Sequence, residues 1–401
     1  MVAMRFDYRD LFRAPRVALS FQRLWIQTLG LVVGYILYMV LTYIALMLAG
    51  EGFGALWSTY GLLPCVIGIP LPWYSTVLFT LGVLLLVVAW LVTATAVSRA
   101  AYMHLKGNHF YTWKDAVKFA VKKKGGAVIA TPMVLIVIMA CIVLGGLVVG
   151  WFAKIIPWAG ELGLSLFTLV WFMASLFLVF LALALGVSLL ITPSVLATTD
   201  DDAFEGVFQS FSTLVSQPWR LVLYKALIVL LSAAGFIVLA FFSKQAWVVM
   251  NRVLMAWGGD KVTNLAVAAS YSFQNLVYPA EWARLVPADA ASYFFSQEFT
   301  PTALPLVMQI AAWILTLFLL VIAAVVASYP FATFNTGVCI LYLVLKKKKD
   351  DENLLERKDK EEETEEDLKD AAEEKEPGKE KPKASKARPK RSAKSKPSRK
   401  K

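Results

Sequence analysis

The sequence predicts an all-α membrane protein, a polytopic helical bundle of about six spans, and three observations predict it. Apolar runs near 24–48, 74–96, 127–152, 164–191, 221–242 and 304–327 each hold the roughly 20 residues that a bilayer core demands of a helix. Their cores carry no Asp, Glu, Arg or His, and 17% of the whole chain is charged, against about a quarter in soluble domains. The basic residues between the runs alternate from one side of the membrane to the other. Together these divide the chain into a membrane domain, 1–349, and a charged cytoplasmic tail, 350–401, expected to be disordered.

The first run follows Arg5, Arg9, Arg13, Arg16 and Arg23 and has no small-residue cleavage site behind it, so it reads as a retained helix. With the N-terminus inside, the cytoplasmic segments hold eighteen Lys or Arg before the tail. The exterior holds five, Lys154, Lys244, Arg252, Lys261 and Arg284. The positive-inside rule therefore places both termini in the cytoplasm, and a bacterial inner membrane is the simplest location. Cys65, Cys141 and Cys339 fall at different depths, which argues against disulfides.

The segments between spans read as surface helices. Thr112 with Asp115, and Thr199 with Asp202, each set an acid three residues after a threonine, a capping-box pattern that marks a helix start. Behind the first, near 112–124, Lys114, Lys118 and Lys122 share one face. Behind the second, near 202–216, Phe204, Phe208, Phe211 and Val215 form an apolar stripe. Both suit amphipathic helices lying in the cytoplasmic interface. The approach to the first span is similar, Asp7 to Arg13 ended by Pro15, and Gly-Leu-Val-Val-Gly occurs at 30–34 and again at 146–150. The order suggests three hairpin repeats. The apolar stretch from Leu304 to Leu345 is about twice the length a bilayer needs, so a bend is expected at Pro330, with 331–345 as a third surface helix. The aromatic-rich segments 50–73 and 243–303 read as exterior loops resting on the headgroup layer.

The tail changes sign along its length. Acids dominate to Glu376, and then Lys379, Lys381, Lys383, Lys386, Arg388, Lys390, Arg391, Lys394, Lys396, Arg399, Lys400 and Lys401 face a single acid, Glu380. Such a run attracts polyanions: anionic lipid, nucleic acid or the ribosome. A tail that only keeps its surroundings solvated is the other reading.

Catalytic chemistry leaves no signature. The histidines are His104 and His109, without clustered cysteines or a metal-binding spacing, and no P-loop, nucleophile elbow or His-Glu-x-x-His occurs. No enzyme activity and no cofactor is expected. Hydroxyl and amide groups in the spans, Gln27, Tyr35, Thr42, Thr80, Thr93 and Gln309, are the candidates for lining a path, although helix-to-helix hydrogen bonding accounts for them more simply.

The passage from Thr192 to Lys225 carries a resemblance. A span exits through Thr192-Pro193, an acidic cap opens an amphipathic helix, and Pro218-Trp219-Arg220 leads into the next span. In this it resembles bacterial multipass families of unknown function, including the membrane domain attached to some glycerophosphodiester phosphodiesterases. The resemblance covers at most half the chain and implies an architecture without an activity. Two functions follow as expectations: a non-catalytic membrane scaffold or accessory protein with a polyanion-binding tail, or a permease for a neutral or lipid-like substrate.

Overall fold

The computed structural model describes residues 4–66, 71–108, 110–156, 158–277 and 304–357. Among them the chain is helical and contains no strand. Among the described residues six helices are long and apolar enough to cross a membrane, which makes this a multipass membrane protein.

In chain order the helices are α1 (Tyr8–Leu11), α2 (Ala14–Ala18), α3 (Phe21–Leu48), α4 (Phe53–Tyr60), α5 (Trp73–Lys106), α6 (Trp113–Lys118), a π-helical turn (Phe119–Lys123), α7 (Gly125–Ile155), α8 (Ala159–Leu166), α9 (Thr168–Thr199), α10 (Ala203–Ser216), α11 (Pro218–Val277) and α12 (Leu306–Asp350). Long helices α3, α5, α7, α9, α11 and α12 are the six candidate spans. The end at which α3, α7 and α11 begin and α5, α9 and α12 finish is called basal below. Short basal helices precede each long pair: α1–α2, then α6 with its π turn, then α10.

The packed interior lies at the basal end. Leu11, Tyr102, Met103, Leu105, Ile191, Val195, Leu221, Ile228 and the run Val338 to Leu345 form one buried cluster. Burial of aliphatic side chains at about 25 cal/mol per Å² concentrates cohesion there. Away from it α7 and α9 bury no described residue between Leu135 and Leu181, which are themselves buried, as expected of apolar helix faces that meet lipid rather than protein.

Close helix approach is achieved where the sequence removes side chains. A Cβ on Gly30 would overlap the Thr93 side chain, and one on Gly34 would lie 2.7 Å from Ala89 Cβ, so this Gly-x-x-x-Gly pair seats α3 on α5. The identical pentapeptide at Gly146 and Gly150 meets nothing within 4 Å. Identical sequence therefore serves different surroundings.

Several expectations are corrected. The stretch after Pro330 is not a surface helix: α12 continues through Pro330, and 332–345 is almost wholly buried. Proline removes one backbone bond and crowds the preceding turn, but packing of both flanking segments into the basal core outweighs that local cost. Segment 243–303 is not a loop over its first part, since α11 runs to Val277 with one break, at Gly259 (φ +57°). Thr199 does not cap α10. It is the last residue of α9, its hydroxyl donates to the Val195 carbonyl (2.9 Å), and Asp202 is the N-cap without a side-chain bond. By contrast Thr112 and Asp115 form the full reciprocal box. The packed body also extends past 350: Leu354 and Leu355 are buried, and the Tyr102 hydroxyl donates to the Leu354 carbonyl at 2.8 Å.

Candidate functional site

The polar residues that the membrane helices cannot leave in lipid come together at the basal end. Thr28 of α3 and Ser328 of α12 share a hydrogen bond of 2.7 Å, and Asn335 Nδ2 donates to Gln27 Oε1 at 2.8 Å. Ser98 of α5 and Ser194 of α9 are 3.2 Å apart, and the Cys339 thiol donates to the Ser98 carbonyl at 3.5 Å. All are buried. An unmet polar group costs several kcal/mol in a hydrocarbon surround, which is why these side chains satisfy one another across four helices.

Beneath this seam sits Arg99, fully buried. The last carbonyls of a helix have no intrahelical donor and carry the negative end of its dipole. Arg99 Nη1 meets that need by donating to Ala197 O at 3.0 Å, two residues before that helix ends at Thr199. Its guanidinium lies 4.4 Å from the Phe119 ring centroid and 5.7 Å from that of Tyr102, within cation–π range. The Lys123 ammonium also lies within range of Phe119, at 5.5 Å.

One step further, Asp200 closes α9 in the left-handed conformation (φ +56°), which Asp tolerates because its short polar side chain bonds locally. Its carboxylate takes Lys123 Nζ and Lys124 Nζ, each at 2.8 Å, and Lys124 also donates to the Asp201 carbonyl at 2.9 Å. Burial pushes the Asp200 carboxyl up, but the hydrogen bonds and charges of the two lysines overcome this and hold it below the usual carboxylate range. The clasp ties the α6–α7 junction to the α9–α10 junction. α10 then packs Gly206 against Thr131 and Thr192. It buries Gln209, Ser210 and Thr213 while turning Phe204, Phe208 and Val215 outward.

The six path candidates do not converge. Gln27 joins the seam, and Thr93 lies on the α3–α5 contact about one helical turn away, with its hydroxyl on the Ala89 carbonyl at 2.6 Å. Tyr35 donates instead to Leu62 O at 2.6 Å, and Thr42 is buried. Thr80 and Gln309 are exposed and bond to Thr76 O and Leu304 O. His109 and the twelve tail residues from Lys379 to Lys401 lie outside the described residues. Among the described residues no cluster of His, Cys, Asp and Glu could hold a metal ion.

Sequence reading missed Arg99 as an interior residue, because the apolar run stops at 96 whereas α5 continues to Lys106 and ends on a left-handed Gly107. The available signal was that glycine, the usual helix stop, eleven residues beyond the run. Comparison with protein-family models, with curated proteins and with solved structures finds no match to this chain.

Proposed function

We propose that this protein is a non-catalytic membrane scaffold or accessory protein, with its basal end and both termini cytoplasmic, whose basic tail engages polyanions. The observation that supports it best is the seam. Six polar side chains buried where the helices meet, Gln27, Thr28, Ser98, Ser194, Ser328 and Asn335, are paired with one another. The architecture also fits the bacterial multipass membrane domains that the Thr192 to Lys225 passage resembles, and the proposal extends to that kinship.

The native Cys339 reports on the seam directly. With Cys65 and Cys141 replaced by alanine, Cys339 should stay unmodified by a small charged thiol reagent in the folded protein and react after denaturation. Rapid modification in the native state would mean that water reaches the seam, and the permease reading would replace this one.

Orientation is tested by single cysteines at exposed positions. Ser58→Cys, between α3 and α5, should react with an impermeant reagent outside intact cells, and Asn108→Cys should react only after permeabilisation. The reverse pattern would invert the topology. For the tail, the twelve basic residues after Pro377 should bind anionic vesicles or DNA with a log–log salt slope of about 0.9 per duplex phosphate neutralised. Comparing the full chain with one ending at Glu376, absence of any difference at low salt would leave the tail as a solvating segment only.

A further inference from the structure

The connection between α5 and α7 presents a surface that the tail does not explain. α6 and its π turn bury Ala116 and Ala120 against α5, where they join Ala96, Val97 and Ala100, and bury Phe119 beside Arg99. Their opposite face carries Lys114, Lys118 and Lys122, all exposed. Lys118 and Lys122 have no acidic partner among the described residues, and Lys114 lies 5.8 Å from the Trp113 ring centroid. Asp115, the acid on this helix, is occupied by the cap, where it accepts from the Thr112 hydroxyl at 2.5 Å and from the Thr112 backbone N–H at 3.3 Å. Beside the lysines, large apolar side chains stand outward: Phe110 is 94% exposed, Val121 55% and Trp113 36%.

The π turn divides a run of three lysines by task. Lys123 and Lys124 both reach Asp200, while Lys122 remains with Lys114 and Lys118 on the outer face. Single π turns inside helices recur at functional sites. Here the turn holds the helix flush against the bundle while leaving three ammonium groups free to meet something else.

The position of the helix says what that is. α5 ends at Lys106 and α7 begins at Gly125, so this segment is tethered at both ends to membrane-crossing helices and pinned by the Asp200 clasp. It therefore stays at the depth where hydrocarbon gives way to headgroups. A face that combines free ammonium groups with exposed Phe, Trp and Val matches a layer offering phosphates and acyl chains together.

We propose that the α6 face, with Lys114, Lys118 and Lys122 as its charges and Phe110, Trp113 and Val121 as its apolar anchors, is a binding surface for anionic phospholipid headgroups. It is independent of the tail, and the test is made in symmetric bilayers so that it does not depend on which end is cytoplasmic. The full chain is reconstituted in phosphatidylcholine, and its boundary lipid is compared by electron paramagnetic resonance using spin-labelled phosphatidylglycerol and spin-labelled phosphatidylcholine. Wild type should favour the anionic lipid about threefold at low salt, given the attraction of each basic residue to an anionic surface, and the preference should shrink at about tenfold higher salt. Lys114→Gln, Lys118→Gln and Lys122→Gln together should cut the preference by at least half without moving the thermal midpoint, because all three side chains are exposed. Lys154→Gln, at the far end of α7, should leave it unchanged. A wild type without preference, a triple variant that retains it in full, or displacement of the lipid by duplex DNA at equal phosphate concentration would each overturn the proposal.

Discussion

Leucine at position 30 should unseat α3 from α5, whereas leucine at position 146 should be nearly silent. The two glycines occupy the same place in the same pentapeptide, and only their surroundings differ. A single added Cβ at position 30 already overlaps Thr93, and Ala89 crowds Gly34 one turn later, while Gly146 and Gly150 face open space. Overpacking a tight contact costs about 1–3 kcal/mol. Leucine at position 30 should reach the upper end, because both helices would have to separate along a contact that also holds Thr93. Gly146→Leu should fall within about 0.5 kcal/mol of wild type, as surface changes do. Unfolding of the two variants in the same lipid mixture, followed by loss of helical signal, measures the difference directly. Equal destabilisation would show that α7 meets a second helix at Gly146 in the bilayer, and its exposed face would need a different account.

That contrast also shows where sequence reading succeeds and where it stops. The six spans are legible because lipid imposes one rule on every residue of a crossing helix: backbone groups bond internally and side chains stay apolar. The Thr112 cap is legible because both partners lie within four residues. What is not legible depends on partners far apart in the chain. Arg99 is interior because the end of α9, 98 residues away, supplies its acceptor. Thr199 resembles a cap but spends its hydroxyl within α9. Pro330 looks like a break until the burial of residues on both sides is known. Leu354 and Leu355 look like incidental apolar residues in an acidic run, yet Tyr102, more than 250 positions earlier, receives them. The candidate path residues are ambiguous for a related reason, since hydroxyl groups in a span read alike whether they face a cavity, another helix or their own backbone.

Asp200→Asn should destabilise the protein at neutral pH and lose its effect in acid. Asparagine keeps the size of the side chain and tolerates the left-handed backbone of residue 200, so the substitution removes charge without disturbing the end of α9. Breaking a buried pair by removing one partner costs about 3–5 kcal/mol. The lower end, about 3 kcal/mol, is expected here because Lys123 is 38% exposed and regains water, whereas Lys124 is buried and does not. The sign of the pH dependence follows from the lowered folded-state pKa of Asp200. Its contribution is complete above the ordinary carboxylate value of 3.8 and disappears as pH falls through the lower folded value, since both folded and unfolded chains then bind the proton. Wild type and variant should therefore differ in unfolding midpoint at pH 7 and converge as the pH drops below about 4. Replacing the stranded cation as well, in Lys124→Met with Asp200→Asn, should restore part of the loss, because an apolar side chain of similar length carries no charge to desolvate. A single variant as stable as wild type at pH 7, or a double variant no better than the single, would show that the clasp between the two basal junctions is not what holds them together.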